Sequence, residues 1–287
     1  MHEADAKALL NSTNGMNIYR GCVHGCIYCD SRSACYQFTH PFEDVEVKRN
    51  APELLEAALH KKRKRCVIAT GSMSDPYQPC EKELRLMRRC LERIERCGFG
   101  ASVITKSDLV LRDLDLFESI HQRAKSVLQM TLTVADDALS RVLEPNVCLS
   151  SRRYEVLKEF QSRGIPGVVW LSPFLPFLTD TEENLRQLLD YCFSAGVKGI
   201  VCFGIGLTLR QGNREYFYSQ LDRHFPGLSD EYRKTYGSAY VVSSPRHDGL
   251  MRLFHLECEK RGVLHTPEDC FRFIAELPER ETQLSLF

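Results

Sequence analysis

Three thiols sit close together in the segment Gly21-Cys22-Val23-His24-Gly25-Cys26-Ile27-Tyr28-Cys29, with the spacing CxxxCxxC. A single loop with this spacing can wrap an iron–sulfur cubane and ligate three of its corners. The motif offers no fourth cysteine, so one iron would remain open to a bidentate ligand carrying an amino and a carboxylate group. Gly21 and Gly25 remove side-chain bulk, which lets backbone N–H groups approach the sulfurs and tune the potential. Zinc is the alternative. It takes four ligands, usually in paired short spacings, and here Cys35, His24 or His40 would have to serve as the fourth. The remaining cysteines form no second short-spaced pair.

The elements that must hold this loop alternate between helix and strand. Asn50-Ala51-Pro52-Glu53 reads as a helix start, with Asn as the cap and Pro in the first turn. That helix runs into the basic segment 61–65, and Cys66-Val67-Ile68-Ala69 follows as a short buried strand. A helix is expected over 82–97, with Leu84, Met87, Leu91 and Ile94 on one face, stopped by Gly98 and Gly100. Further strands are expected over 101–105, 127–132, 168–171 and 200–203, and helices over 113–124, 152–163 and 181–195. With a first strand near 14–19 there are about six β-α units, fewer than the eight of a closed barrel. The expected fold is therefore α/β: a partial (β/α)6 TIM-like barrel over 1–205. From Gly206 onward helical patterns dominate, so 206–277 reads as a helical C-terminal extension and 278–287 as a tail. Segments after strands lie on the C-terminal face, where ligands bind in parallel α/β folds. These are the longer, polar links 70–80, 106–112, 133–150, 172–180 and 204–218.

Bulk properties narrow the function classes. Among 287 residues, 38 Lys plus Arg balance 38 Asp plus Glu, so no global field draws the chain to nucleic acid or an anionic membrane. No apolar run approaches the length of a membrane span; the longest candidate, 168–178, is broken by Pro173 and Pro176. The odd total of 13 cysteines, many inside apolar-periodic segments, does not fit a secreted disulfide framework. The charged start Met1-His2-Glu3-Ala4-Asp5 has no apolar core of a signal peptide. Reduced thiols and a cytoplasmic location are the expectation.

At the cysteine motif, including the aromatic Tyr28 before the third cysteine, the chain resembles the radical S-adenosylmethionine (SAM) superfamily. Over about 14–205 it resembles one branch, the spore photoproduct lyase-like (DNA repair photolyase-like) proteins. The segments that carry this likeness are Asn17-Ile18-Tyr19-Arg20-Gly21-Cys22, Gly71-Ser72-Met73-Ser74-Asp75-Pro76-Tyr77-Gln78-Pro79, Thr105-Lys106-Ser107 and Leu143-Glu144-Pro145. The resemblance implies a [4Fe–4S] cluster on Cys22, Cys26 and Cys29, and SAM on the open iron. It implies reductive cleavage of SAM to a 5′-deoxyadenosyl radical, with an electron from a flavodoxin- or ferredoxin-like donor. It places Tyr28 near the adenine and makes Ser74, Asp75, Lys106 and Thr131 candidates for SAM contacts. It points to a DNA lesion or other nucleic acid as substrate. The alternatives are a radical SAM enzyme acting on a peptide, an RNA or a metabolite, and a non-catalytic cluster- or zinc-binding module.

Two positions depart from the branch pattern. Where that branch carries a hydrogen-donating cysteine in the loop after the second strand, this chain has Ser72, and where it carries a relay tyrosine after the third cluster cysteine, this chain has Asp30. Cys80, in the same loop as Ser72, is a candidate replacement donor; the plainer reading is a buried cysteine at a helix start. The last five residues, Gln283, Leu284, Ser285, Leu286 and Phe287, resemble the peptide by which bacterial replication and repair proteins bind the β sliding clamp. Self-docking of these apolar side chains is the alternative. Arg152, Arg153, Arg210, Arg214, Tyr216, Phe217 and Tyr218 are candidates for holding a phosphate backbone and stacking a base, or for ordinary packing. The basic run 61–65 reads as a solvated helix end on the opposite face, and His247 as structural.

Overall fold

The computed structural model describes residues 1–278. Four short strands open the chain: β1 (His2–Ala4), β2 (Gly15–Met16), β3 (Tyr19–Arg20) and β4 (Glu46–Lys48). The β-α repeats follow as α1 (Ala51–Lys61), β5 (Val67–Thr70), α2 (Glu81–Leu84), α3 (Leu86–Cys97), β6 (Gly100–Thr105), α4 (Leu114–Arg123), β7 (Ser126–Thr131), α5 (Asp137–Leu143), α6 (Ser150–Ser162), β8 (Gly167–Trp170), α7 (Glu182–Ser194) and β9 (Gly199–Val201). The chain then forms β10 (Gly206–Thr208), α8 (Asn213–His224), α9 (Leu228–Tyr236), β11 (Val241–Ser243), α10 (His247–Arg261) and α11 (Pro267–Ala275).

Six strands make one parallel sheet in the order β2-β5-β6-β7-β8-β9. Every residue of β7 is buried, as expected for a strand covered on both faces. The helices close over it with amphipathic stripes. On α3, Leu86, Met87, Cys90, Leu91 and Ile94 are buried, and Gly98 ends the helix in the left-handed region. The expected partial barrel is the fold observed.

Several local expectations are corrected. The first strand is shorter than 14–19. Asn14 is left-handed, with φ 64°, and only Gly15–Met16 joins the barrel. Tyr19–Arg20 turns away to pair with β4, which also pairs with β1, forming a second three-stranded sheet. The helix expected over 82–97 is broken at Arg85, which is left-handed. The buried Glu81 carboxylate accepts the N–H groups of Leu86 and Met87 at 2.9 and 3.0 Å, so it caps the second helix. Asn50 does not cap α1; its side-chain amide pairs with the backbone of Ala6 instead, at 2.9 Å in both directions.

The region after Gly206 is not purely helical. β10 and β11 pair antiparallel, Gly206 opposite Ser243. Each is a three-residue strand whose partner lies more than thirty residues away, so neither carries a local signal. The extension also covers the open barrel edge: Ile200 N–H donates to Leu264 O at 2.7 Å. Among the described residues, no helix is long and apolar enough to cross a membrane. The cysteines are free thiols. The tail motif expected at 283–287 lies outside the described residues.

Candidate active site

The cysteine loop leaves β3 through Gly21 and is clamped from three sides. Gly21 has φ 89°, and a Cβ there would sit 2.4 Å from Phe42 O, so the position demands glycine. The same Phe42 carbonyl accepts the Cys22 N–H at 3.1 Å. From the loop after β5, Ser74 Oγ donates to Gly21 O at 2.6 Å. Gln78, fully buried, donates to Gly21 O at 3.2 Å and accepts from Val23 N–H at 3.0 Å. From the segment after α5, Asn146 donates its amide N–H to His24 O (3.1 Å) and its side-chain Nδ2 to Val23 O (2.9 Å), while Leu143 O accepts from Ile27 N–H at 3.0 Å.

Two buried charges organise the cavity floor. Asp75 accepts from Thr105 Oγ1 at 2.7 Å, Lys106 N–H at 2.8 Å and Tyr77 N–H at 2.8 Å, and His24 Nε2 lies 3.1 Å away. Burial raises its pKa, but His24 and these donors outweigh that and bring it down to about 2. Glu144 accepts from Tyr28 Oη, Thr133 Oγ1 (2.8 Å) and Arg153 Nη2 (2.5 Å), with Glu144 and Arg153 both essentially inaccessible to solvent. Here too burial opposes the charge, and attraction from Arg153 and Lys106 leaves the carboxyl below its ordinary range. Lys106 is likewise disfavoured by desolvation, yet Cys26 and Glu144 hold its pKa above the usual lysine value.

Two adjoining cavities open on this floor. The smaller, about 140 Å³, is lined by Cys22, Cys26 and Cys29 together with His24, Asp75 and Lys106. The larger, about 460 Å³, is walled by Trp170, Phe203, Val242 and His247. Tyr28, Cys29, Ser31, Lys106 and Thr131 line both. The Trp170 indole is held by Gln129, to which its Nε1 donates at 2.7 Å.

The residues present fit an iron–sulfur cluster. Three free cysteines face one cavity. Beside them His24 is 4% exposed; its Nε2 faces the Asp75 carboxylate at 3.1 Å, while its buried Nδ1 has no hydrogen-bond partner, which suits a donor to cluster or thiolate sulfur. Burial pushes the Cys26 thiol up to about 12 and the Cys22 thiol well above its ordinary value, so both favour thiolate only beside a compensating cation. A single zinc with bonds of about 2.3 Å would hold its sulfurs roughly 3.8 Å apart. The three cysteine sulfurs do not all lie within 4.8 Å of one another; among the described residues only His2, His40 and Glu46 meet that criterion.

The sequence-derived residues distribute as follows. Tyr28, Lys106 and Thr131 sit on the wall shared by the two cavities, and Ser74 and Asp75 line the smaller one. Ser74 bonds to Gly21 and Gln78 and so supports the cysteine loop, while the Asp75 carboxylate accepts from Thr105 and Lys106. Ser72 lines the smaller cavity and Asp30 the larger. Cys80 lines neither; it lies beside Tyr19 and Glu81 against the core. Arg153 and Phe217 are buried, Arg214 donates to the carbonyls of Leu209 and Ala239 (2.7 Å each), and Arg152 pairs with Asp108 at 3.0 Å. None of these four lines either cavity. His247, read from the sequence as structural, lines the larger cavity, with its Nδ1 3.2 Å from Ile205 N–H. Gly204 makes room for this ring, since a Cβ there would meet Cε1 at 2.9 Å. Sequence reasoning missed Gln78 and Thr133 as members of the site, along with the pairing of Glu144 with Arg153. The Leu-Glu-Pro segment was the one available signal for Glu144.

With this geometry in hand, comparison with known proteins gives consistent findings. The family model described as the radical SAM superfamily matches residues 16–207. An uncharacterized protein of Mycobacterium tuberculosis is 32% identical over 255 residues, covering 82% of this chain and 73% of that protein. An uncharacterized protein of Methanocaldococcus jannaschii is 36% identical over 176 residues, covering 60% and 64%. Among solved structures, a spore photoproduct lyase variant superposes with a TM-score of 0.63 at 13% identity, covering 92% of this chain and 80% of that one. Another variant of that lyase, solved with AdoMet and dinucleoside spore photoproduct bound, gives 0.60 at 13% identity, covering 87% and 74%. At that identity the likeness is one of fold. The cysteine loop, the six-stranded parallel barrel and the match across most of its length together establish that this chain belongs to the radical SAM superfamily, whose members use a [4Fe–4S] cluster and SAM.

Proposed function

We propose that this enzyme cleaves SAM reductively and directs the resulting radical at a base of a nucleic acid. The observation that carries this reading is the wall shared by the two cavities, formed by Tyr28, Cys29, Ser31, Lys106 and Thr131. When bound, the cluster supplies one electron to the sulfonium of SAM, whose C5′–S bond breaks to give methionine and a 5′-deoxyadenosyl radical that takes a hydrogen atom from the substrate. Cys22, Cys26 and Cys29 hold the cluster. Lys106 extends its ammonium from the end of β6 and pairs with the carboxylate of SAM. Tyr28, anchored through its hydroxyl to Glu144 and Thr133, offers a fixed ring face beside the nucleoside. His24 donates toward cluster sulfur, and the buried loop excludes water from the reactive radical.

The nucleobase reading rests on the larger cavity. Its wall is aromatic and apolar, and Phe203, at 60% exposure, stands at its rim beside Trp170 and Phe271. Such a surface suits a planar ring lifted from its stack. On this reading the barrel, 1–205, makes the radical. The extension, 206–277, supplies β10, β11 and His247 as the substrate side. The tail residues Gln283–Phe287 would recruit the protein to the sliding clamp, and a flavodoxin- or ferredoxin-like protein would supply the electron.

The test is anaerobic incubation of reconstituted, reduced protein with SAM and ultraviolet-damaged DNA deuterated at the thymine methyl and C6 positions. The expected result is 5′-deoxyadenosine that depends on the three cysteines, with deuterium transferred into it. 5′-Deoxyadenosine without deuterium from any DNA or RNA substrate would leave the radical chemistry standing and remove the nucleobase. No 5′-deoxyadenosine at all would remove both.

A further inference from the structure

A second constellation, away from the cysteine thiols, is unused by the chemistry above. His2 on β1 and Glu46 on β4 are register partners across a parallel strand pair, so their side chains leave the same face of the sheet. His40 reaches over them from the loop that leads into β4, with its ring 4.8 Å from that of His2. One ligand atom from each of the three lies within 4.8 Å of the other two.

The hydrogen bonds around these groups define what they can accept. His40 Nδ1 lies 3.0 Å from Pro41 O, which can only accept, so Nδ1 carries the proton and Nε2 carries a lone pair. That Nε2 is buried and has no partner. His2 Nδ1 lies 3.0 Å from the Asp44 carboxylate, which fixes the same tautomer in the second ring. The Glu46 carboxylate has no side-chain hydrogen bond or ion pair among the described residues. Arg20, its strand partner, instead donates to the carbonyls of Tyr36 and Gln37 at 2.9 Å. Each of the three groups therefore has a lone pair to offer, in a cluster whose ligand atoms lie within 4.8 Å of one another. A buried lone pair left in that state is costly, and a divalent cation at the centre resolves all three at once.

We propose that His2, His40 and Glu46 bind one divalent transition ion of the zinc class. Imidazole and carboxylate ligands match that class. Both imidazoles carry the outer hydrogen bonds typical of zinc-bound histidine, one to a carboxylate and one to a backbone carbonyl. Bonds of about 2.0–2.1 Å would bring ligand atoms to roughly 3.3 Å apart, a contraction that side-chain rotation of partly exposed residues can supply. The bound ion ties β1, β4 and the intervening loop together. Phe42, in that loop, holds the Cys22 N–H, so the ion would stiffen one support of the cysteine loop from outside.

The experiment uses full-length protein with its cluster reconstituted, equilibrated with zinc sulfate and then dialysed against a weak chelator. The expected result is about one zinc per chain beyond the iron content. X-ray absorption at the zinc edge should show a nitrogen and oxygen shell without sulfur. His40→Asn and Glu46→Gln should each weaken zinc retention at least tenfold, and Asp44→Asn by about 10–100-fold, with iron content unchanged. Failure of the wild-type protein to retain zinc, or a sulfur shell in its spectrum, overturns the proposal without reference to any variant. Equal zinc retention by both ligand variants overturns it as well.

Discussion

Replacing Glu144 by Gln tests the electrostatic argument at the floor of the site. The change keeps the shape of the side chain and removes its charge. Glu144 accepts from Tyr28 Oη, from Thr133 Oγ1 at 2.8 Å and from Arg153 Nη2 at 2.5 Å. Both Glu144 and Arg153 are essentially fully buried. The amide cannot accept at both ends, and Arg153 becomes a buried cation without its counter-charge. Breaking such a pair costs about 3–5 kcal/mol. At about 2–4 °C per kcal/mol for chains approaching this size, the melting temperature should fall by roughly 10 °C, read by circular dichroism on the cluster-free protein. The double variant Glu144→Gln/Arg153→Met removes both charges and should recover more than half of the loss. The pH dependence has a defined sign. The folded-state pKa of Glu144 is lowered, so its contribution is present above the unfolded carboxyl pKa of about 4.3 and is lost as pH falls through the folded value. The Glu144→Gln variant should lack that acid-side decline. A melting temperature within about 2 °C of wild type would refute the claim that this pair anchors the site.

Gly71→Ala should destabilise and reduce iron loading, because φ is +99° and the new Cβ would fall 2.0 Å from the Ile104 carbonyl of the neighbouring strand; Gly249→Ala on α10, where no atom lies within 4 Å, should instead stabilise by about 0.5–1 kcal/mol in thermal denaturation. Lys106→Met should weaken SAM binding roughly tenfold to a hundredfold by equilibrium dialysis, the range for a lost charge-assisted hydrogen bond, whereas Cys80→Ala should leave 5′-deoxyadenosine formation within about twofold, since Cys80 lines neither cavity.

The β-α alternation, the three-cysteine loop and the face that carries the site were legible in the chain alone. These depend on short-range patterns: apolar periodicity, thiol spacing, and glycine at helix ends. Boundaries slipped where a side chain found a tertiary partner. Asn50 pairs with Ala6 instead of capping its own helix, and Glu81 breaks a helical run because its carboxylate is buried against Arg112 at 2.7 Å. The β10–β11 pair escaped because three-residue strands far apart in sequence have no local signature.

The sequence by itself determined that three thiolates would be presented on one loop at the ligand face of a parallel barrel, since spacing and element order are properties of the chain. Only the tertiary structure decided which neighbours serve that loop. It set Ser74 against the Gly21 carbonyl and the Asp75 carboxylate against Thr105 and Lys106, brought His24 and His247 to the cavity walls, and buried Arg153 against Glu144. The physical reason is that hydrogen bonding and charge pairing saturate. A polar atom can serve a substrate only if the fold has not already given it a partner, and that accounting requires every neighbour to be in place.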